Sequence, residues 1–306
     1  MLRYLFIRLG SALLVTFGVI CIVFFLLHLI PGDPVEVMLG ESAQQTDRAA
    51  LRHELGLDLP LLNQFQTYLT RLIHLDLGHS LRSKQSIVAI LSERVPATFQ
   101  LAVVALLFAV MIALPLGLLS ALRRNTWVDH SAMGFAMIGV SIPNFWMGPL
   151  LILIFSLWLG WFPVSGKAGF GSIVLPALTL GTALAAILSR MVRSAVLEVL
   201  NEEFIRTARA KGLNEWRVIL KHALGNALLP VVTILGLQLG ALLGGAVITE
   251  TIFAWPGIGQ LTIEAIQQRD YPVVQACVLI ISLTYVAINT LTDIAYGLLD
   301  PRTRLT

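Results

Sequence analysis

The sequence predicts an all-α integral membrane protein with six transmembrane helices, and three observations carry that prediction. Of its 306 residues, 57% are hydrophobic and 13% charged, far too apolar for a soluble domain of this length. Six runs, at 9–30, 97–122, 133–159, 175–194, 227–252 and 273–299, approach or exceed the roughly 20 apolar residues that a helix needs to cross the hydrocarbon core. Lysine and arginine favour alternate connections, as the positive-inside rule requires.

The first run follows Arg3 and Arg8 and ends in Pro31-Gly32-Asp33-Pro34. It is too long for the apolar part of a signal peptide and lacks a small-residue cleavage site, so residues 1–30 read as an uncleaved anchor helix. Residues 31–95 are too polar for lipid and are expected to fold on the outer face. Within them Leu61, Leu62, Phe65, Tyr68, Leu69, Leu72 and Ile73 recur at helical spacing. That is an amphipathic helix, suited to lying on the bilayer, capping the bundle or docking a partner. Gly78 signals a turn, and Pro96 fits the first position of the second membrane helix.

Residues 96–299 hold the other five runs, and 300–306 form a short tail. Pro115, Pro143, Asn144 and Pro149 lie inside runs, where neighbouring helices or a wet cavity must satisfy the freed polar groups. Gly236, Gly240 and Gly244 line one face of the fifth run and suit close helix packing. With the N-terminus inside, the cytoplasmic segments hold Arg3, Arg8, Arg123, Arg124, Arg190, Arg193, Arg206, Arg209, Lys211, Arg217, Lys221, Arg302 and Arg304. The two short outer loops carry only Lys167 and Arg269, so both termini are expected in the cytoplasm.

The net charge of +3 is spread between apolar runs rather than gathered in a basic arm, which argues against nucleic-acid binding. Cys21 and Cys277 sit within apolar runs and read as small apolar fillers. No metal-ligand cluster stands out. A phosphate-cradling loop is missing too: Gly160 to Gly166-Lys167-Ala168 is one residue too long and lacks the hydroxyl that should follow the lysine.

The loop between the fourth and fifth runs is polar yet helical on both sides of one glycine. Asn201 is placed to cap a short helix whose first turn holds Glu202 and Glu203, and whose last turn holds Arg209 and Lys211, matching the helix dipole. Gly212 then supplies the left-handed residue that ends a helix, and Asn214 is placed to cap the next one. Such a helical knob suits a groove on a partner, or a solvated hairpin.

Arg206-Thr207-Ala208-Arg209-Ala210-Lys211-Gly212-Leu213, followed by His222, Asn226-Ala227 and Pro230, resembles the ATPase-docking loop of permease subunits in binding-protein-dependent ABC importers. The dipeptide, oligopeptide, glutathione and nickel group is the nearest likeness. Pro31-Gly32-Asp33-Pro34, Asp76-Leu77-Gly78-His79-Ser80, Phe253-Ala254-Trp255-Pro256-Gly257-Ile258-Gly259 and Arg269-Asp270-Tyr271-Pro272-Val273 carry it along nearly the whole chain. One departure stands out: the wider superfamily favours Glu-Ala-Ala where this chain has Arg206-Thr207-Ala208.

The resemblance implies a bacterial inner-membrane subunit without catalytic residues or cofactors of its own. Phe204, Ile205, Arg206, Thr207, Ala208, Arg209, Ala210, Lys211 and Gly212 would form its coupling helix. Arg206, Arg209 and Lys211 would pair with acidic groups on the ATPase, and Ala208 and Ala210 would permit close approach. Its partners would be a second homologous permease, two ATP-binding subunits or domains holding ATP and Mg, and an extracytoplasmic substrate-binding protein. Asn144 and Gln238 are polar candidates for lining the pathway. The alternative is an ion-gradient-driven secondary transporter or channel, which usually carries ionisable groups at membrane depth. Within the runs only His28, Arg190, Arg193, Glu250 and Asp293 qualify, and all but Asp293 lie near an end. An intramembrane protease would need a histidine beside Ser141 or Ser189, and none accompanies them.

Overall fold

The computed structural model describes residues 2–29, 35, 44–54 and 58–299. The Pro31-Gly32-Asp33-Pro34 motif and the tail at 300–306 lie outside them. The helices are α1 (Leu2–Leu29), α2 (Gln45–Glu54), α3 (Leu61–Ile73), α4 (Ile87–Leu122), α5 (Trp127–Ser141), α6 (Asn144–Leu151), α7 (Val174–Leu200), α8 (Glu203–Ala210), α9 (Glu215–Arg217), α10 (Leu224–Gly245), α11 (Val247–Ile252), α12 (Ile258–Gln267) and α13 (Tyr271–Leu299). Short π-helical stretches, Ile152–Trp158 and Val218–Ala223, extend α6 and precede α10. Four helical stretches are long and apolar enough to cross a membrane, and up to six spans result if each of two bent pairs counts as one.

Both bends have a proline cause. The third run divides into α5 and α6, which meet at 102°. Pro143 disfavours helical backbone at the residue before it, and Ile142 is accordingly extended, with ψ 115°. The expected single span is therefore broken. At Pro230 the fifth run bends by 48°, since the ring offers no N–H to the preceding turn. Pro96 also differs from expectation: it lies inside α4, not at its start. The helix begins nine residues earlier because Ile87 and Leu91 bury against Ile258, Leu261, Val273 and Cys277, and that packing outweighs one lost backbone hydrogen bond.

The core is built on the parallel pair α4 and α7. Their axes approach closely at glycines: a Cβ on Gly117 would stand 2.6 Å from the Ser189 carbonyl oxygen, and one on Gly181 3.0 Å from that of Ala105. Leu184, Leu188, Val192 and Val196 of α7 pack there with Ala109 and Ala113 of α4 and with Ala227 and Val231 of α10. α5 runs antiparallel to α7, with Gly139 near Thr182 and Asp129 on Arg193.

Two of the three fifth-run glycines serve ordinary packing: Gly236 faces Thr292, and Gly240 faces Tyr285 and Asn289 of α13, while the surroundings of Gly244 lie outside what is described. α1 runs antiparallel to α13, tied by the Arg8–Asp293 ion pair at 2.8 Å and by Gln275 Nε2 donating to the Val23 carbonyl. Asp293 thus meets a neighbouring cation. Amphipathic α3 folds where the spacing places it and sets Phe65 and Tyr68 against Phe24 of α1, with Phe65 also reaching Phe17. Burial there pushes the Tyr68 hydroxyl up to about 12.

These directions define two ends of the bundle. One gathers the starts of α4, α7 and α13 around Trp255. The other holds α8, α9 and Gly212 beyond the finish of α7, and the directions of α1 and α13 put the start of α1 and the finish of α13 at that same end.

Candidate functional site

At the Gly212 end, α7 passes into α8 through two residues. Asn201 does not cap α8, because α7 continues to Leu200 and the Asn201 amide donates back to the Leu197 carbonyl at 2.9 Å. Glu202 takes the N-cap position. At the far end Gly212 adopts φ +74°, its N–H donates to the Arg209 carbonyl at 2.9 Å, and Leu213 N–H reaches the Ala208 carbonyl at 3.4 Å. Those two bonds make a Schellman stop, and Leu213 packs back on the same small core. Asn214 caps α9 as the sequence predicts, its Oδ1 accepting from Trp216 N–H at 2.9 Å. Asn214→Ala should cost about 1 kcal/mol locally, read as faster amide exchange at Trp216.

The candidate coupling residues divide by face. Ile205 and Ala208 turn inward onto Val218 and Ala223, so the small side chain of Ala208 admits this chain's own core rather than a partner. Arg209 is also engaged within the chain: its guanidinium donates to Glu215, with Nη2–Oε1 at 2.6 Å, and locks α8 to α9. That ion pair raises the Arg209 pKa further. Phe204, Arg206, Thr207, Ala210, Lys211 and Gly212 remain exposed, beside Trp216 and Leu220. The result is a compact knob with an apolar interior and an exposed face of cations and aromatic rings.

A buried polar knot ties the knob's support to the bundle. Asp129, at 3% exposure, accepts from Nε and Nη2 of Arg193, both at 2.7 Å, from the Ser120 hydroxyl and from Asn125 N–H. Four donors onto one carboxylate compensate its burial. Sequence reading missed Asp129, which precedes its apolar run; the available signal was an acidic residue in a helix's first turn.

At the Trp255 end, motifs distant in sequence meet. Asp270 accepts from the Ser80 hydroxyl, from Leu81 N–H at 3.1 Å and from Arg82 N–H, joining the 76–80 motif to the 269–273 motif. Glu250 is fully buried and takes the Thr98 hydroxyl at 2.6 Å and Gln260 N–H at 3.0 Å, so its carboxylate caps α12. Trp255 Nε1 donates to the Ala97 carbonyl at 2.9 Å, and the Lys167 ammonium stands 5.4 Å from the centre of its ring.

The two polar pathway candidates stand on different helices, Asn144 at the first position of α6 beside the break and Gln238 on α10, both half-buried. Among the described residues no group of histidine, cysteine and carboxylates is arranged to hold a metal ion.

Residues 113–305 match the family described as binding-protein-dependent transport system inner membrane component, and residues 1–102 match that family's N-terminal region. The chain belongs to this family. The permease is 45% identical to the di/tripeptide transport system permease protein DppB of Pseudomonas aeruginosa and 42% identical to the dipeptide transport system permease protein DppB of Escherichia coli K12, each over 99% of both chains. It is 43% identical to the glutathione transport system permease protein GsiC of Pectobacterium atrosepticum, again over 99% of both.

Among solved structures, a chain of the inward-facing MetNI methionine ABC transporter superposes with a TM-score of 0.59 at 22% identity, covering 70% of the permease and 97% of that chain. An amino acid ABC transporter gives 0.53 at 14% identity, over 70% and 94%. These two likenesses establish the fold. The permease is a multi-pass inner-membrane subunit of an ABC importer, a transporter rather than a catalytic chain. Partners of the ATPase and substrate-binding-protein kinds follow from that membership.

Proposed function

We propose that this chain forms half of an alternating-access pathway for small peptides, driven through the knob at Gly212. The observation that carries the proposal is the knob itself: a helix stopped by a Schellman turn, locked by Arg209–Glu215 and seated on the last turn of α7. A push on it moves α7, the helix most closely packed against α4, so a load applied at α8 enters the middle of the bundle.

In this reading the Gly212 end faces the cytoplasm, as both termini do, and the cationic connections at 123–124 and 206–221 support that orientation. Two ATP-binding subunits, which hold ATP and Mg, grip this knob and its counterpart on a second homologous permease. Their closure draws the two knobs together and opens the pathway to the other side, where a substrate-binding protein delivers cargo at the Trp255 end. Asn144 beside the helix break and Gln238 on α10 line the pathway.

Dipeptides are the foremost cargo, on the full-length likeness to the DppB permeases at 45% and 42% identity. Glutathione follows from the GsiC relatives, and longer peptides or a nickel chelate belong to the same group of systems. Asp293, the acidic group that the sequence sets farthest from the end of a run, is paired with Arg8, which weighs against an ion-driven carrier.

The docking surface is tested by charge reversal on its exposed face. Arg206→Glu with Lys211→Glu should lower co-purification of the ATP-binding subunits by about tenfold or more, with membrane insertion unchanged. Undiminished co-purification would remove α8 from the interface.

A further inference from the structure

The broken third run is attached to the bundle differently from its neighbours. α7 packs Leu184, Leu188, Val192 and Val196 among side chains of α4 and α10, so those helices follow it through interlocked apolar contacts. α5 buries only Asp129, Ala132 and Ala136, a single stripe at helical spacing that Gly139 continues onto Thr182 and Ala186 of α7. Elsewhere α5 is open, with Trp127, Phe135, Met137 and Ile138 all exposed. Small side chains bury little apolar area and interlock weakly, so a stripe of them offers little resistance to sliding. A polar contact must therefore fix where α5 stands along α7.

That contact is Asp129 on Arg193. Nε and Nη2 of the guanidinium donate to the two carboxylate oxygens, each at 2.7 Å, a paired geometry that constrains angle as well as distance. The Ser120 hydroxyl of α4 and the Asn125 N–H of the α4–α5 turn reach the same carboxylate, so three helices meet on one buried acid. Arg193 lies about two turns before Leu200, roughly 10 Å along α7 from the foot of the knob. At its other end α5 stops at Ser141 and the chain turns by 102° into α6, where Asn144 takes the first position. Beyond that turn Gly148 packs on Ile252 and Phe253, close to Trp255. α5 and α6 thus connect the two ends of the bundle.

We infer that Asp129 and Arg193 are a positioning pair for transport: they make α5 follow α7 and so carry a displacement of the knob to the break at Asn144. The inference rests on the reading that α8 receives the stroke of an ATP-binding subunit. Without the pair, α7 moves with α4 and α10 while α5 slips along its stripe of small residues, and ATP is hydrolysed without the pathway changing side in step. A buried ion pair adds little to stability, because desolvation offsets much of its attraction. What this one supplies is a single placement of one helix against another.

The test measures binding-protein-stimulated ATP hydrolysis and uptake of labelled alanyl-alanine on the same proteoliposomes of the complete importer, and reads their ratio, ATP per peptide. Loss of folded complex lowers both rates together and leaves that ratio unchanged, whereas loss of coupling raises it. Ser120→Ala with Asp129→Leu and Arg193→Met removes the polar knot and leaves an apolar contact of similar size, an exchange that proteins commonly tolerate without loss of stability. Its stimulated hydrolysis should stay within about twofold of the parent while ATP per peptide rises by about fivefold or more. Asp129→Asn keeps one acceptor but sets its amide against two of the four donors, and should raise the ratio by about two- to threefold.

ATP per peptide at the parent value in both variants overturns the assignment, whatever happens to the separate rates. If the apolar variant does not assemble, Asp129→Asn decides alone on the same criterion. A parent complex in which the binding protein stimulates neither hydrolysis nor uptake refutes the importer reading instead, so the two failures are distinguishable.

Discussion

Gly212→Val should lower coupled uptake by about 5- to 30-fold or more while leaving the permease inserted and assembled. A Cβ at Gly212 would meet nothing within 4 Å, so the substitution introduces no clash, and its whole effect lies in the backbone. At φ +74° an L-residue costs about 1–2 kcal/mol relative to glycine, and a β-branched one stands at the upper end or beyond it. That energy corresponds to roughly a 5- to 30-fold loss of the closed turn. The turn's two hydrogen bonds, to Arg209 and Ala208, then open, Leu213 leaves its seat, and α8 loses its fixed angle to α9.

A graded series isolates the cause. Asn, which tolerates the left-handed region, should retain most activity, Ala should be intermediate, and Val should import least. Binding-protein-stimulated ATP hydrolysis and peptide uptake in proteoliposomes read the series. Equal activity of Asn, Ala and Val would show that the Gly212 turn does not transmit the stroke.

What the sequence disclosed about this end was local. Gly212 and Asn214 are legible because a left-handed stop and a side-chain cap each involve residues within a few positions of one another. The amphipathic α3 is legible for the same reason, since periodicity over thirteen residues identifies it. Asn201 shows the limit of local reasoning: it suits a cap, but whether it starts α8 or finishes α7 depends on where α7 stops, and Val199 and Leu200 pack on the knob's core and carry α7 to its edge.

The division at Ile142–Pro143 was visible as a proline inside an apolar run. Its size was not, because a tolerated kink and a 102° turn carry the same residues; what differs is the packing of Gly148 against Ile252 and Phe253 beyond it. The Trp255 end was least legible. Its motifs were conspicuous by resemblance, yet their contacts, Ser80 to Asp270 and Trp255 to Ala97, join residues 190 and 158 positions apart, and no pattern within either segment encodes the other.

That long-range site gives the second large effect: Gly257→Ala should lower the thermal midpoint strongly, and the cause can be assigned to Glu250. Gly257 has φ −102°, ordinary for any residue, so alanine brings no backbone strain. Its methyl group, however, would fall inside the van der Waals envelope of the Glu250 carboxylate. That carboxylate cannot retreat freely, for it is fully buried and held by the Thr98 hydroxyl and the Gln260 N–H. Displacing it strands the Thr98 hydroxyl and the Gln260 N–H, at roughly 1–3 kcal/mol each, and leaves a buried acid without its donors.

Glu250→Gln should be much milder, since its carbonyl oxygen can still accept from Gln260 N–H while its amide donates to Thr98 Oγ1. The decisive comparison is a double-mutant cycle. Glu250→Ala removes the side chain that the new methyl group strikes, so adding Gly257→Ala to it should cost far less than the same change in the parent. Thermal midpoints of the detergent-solubilised permease, read by loss of the monodisperse peak, give the four corners of the cycle. Strong non-additivity, with the double variant little worse than Glu250→Ala alone, is the expected result. Additive losses would mean that Gly257 is needed for something other than the space its missing side chain leaves to Glu250.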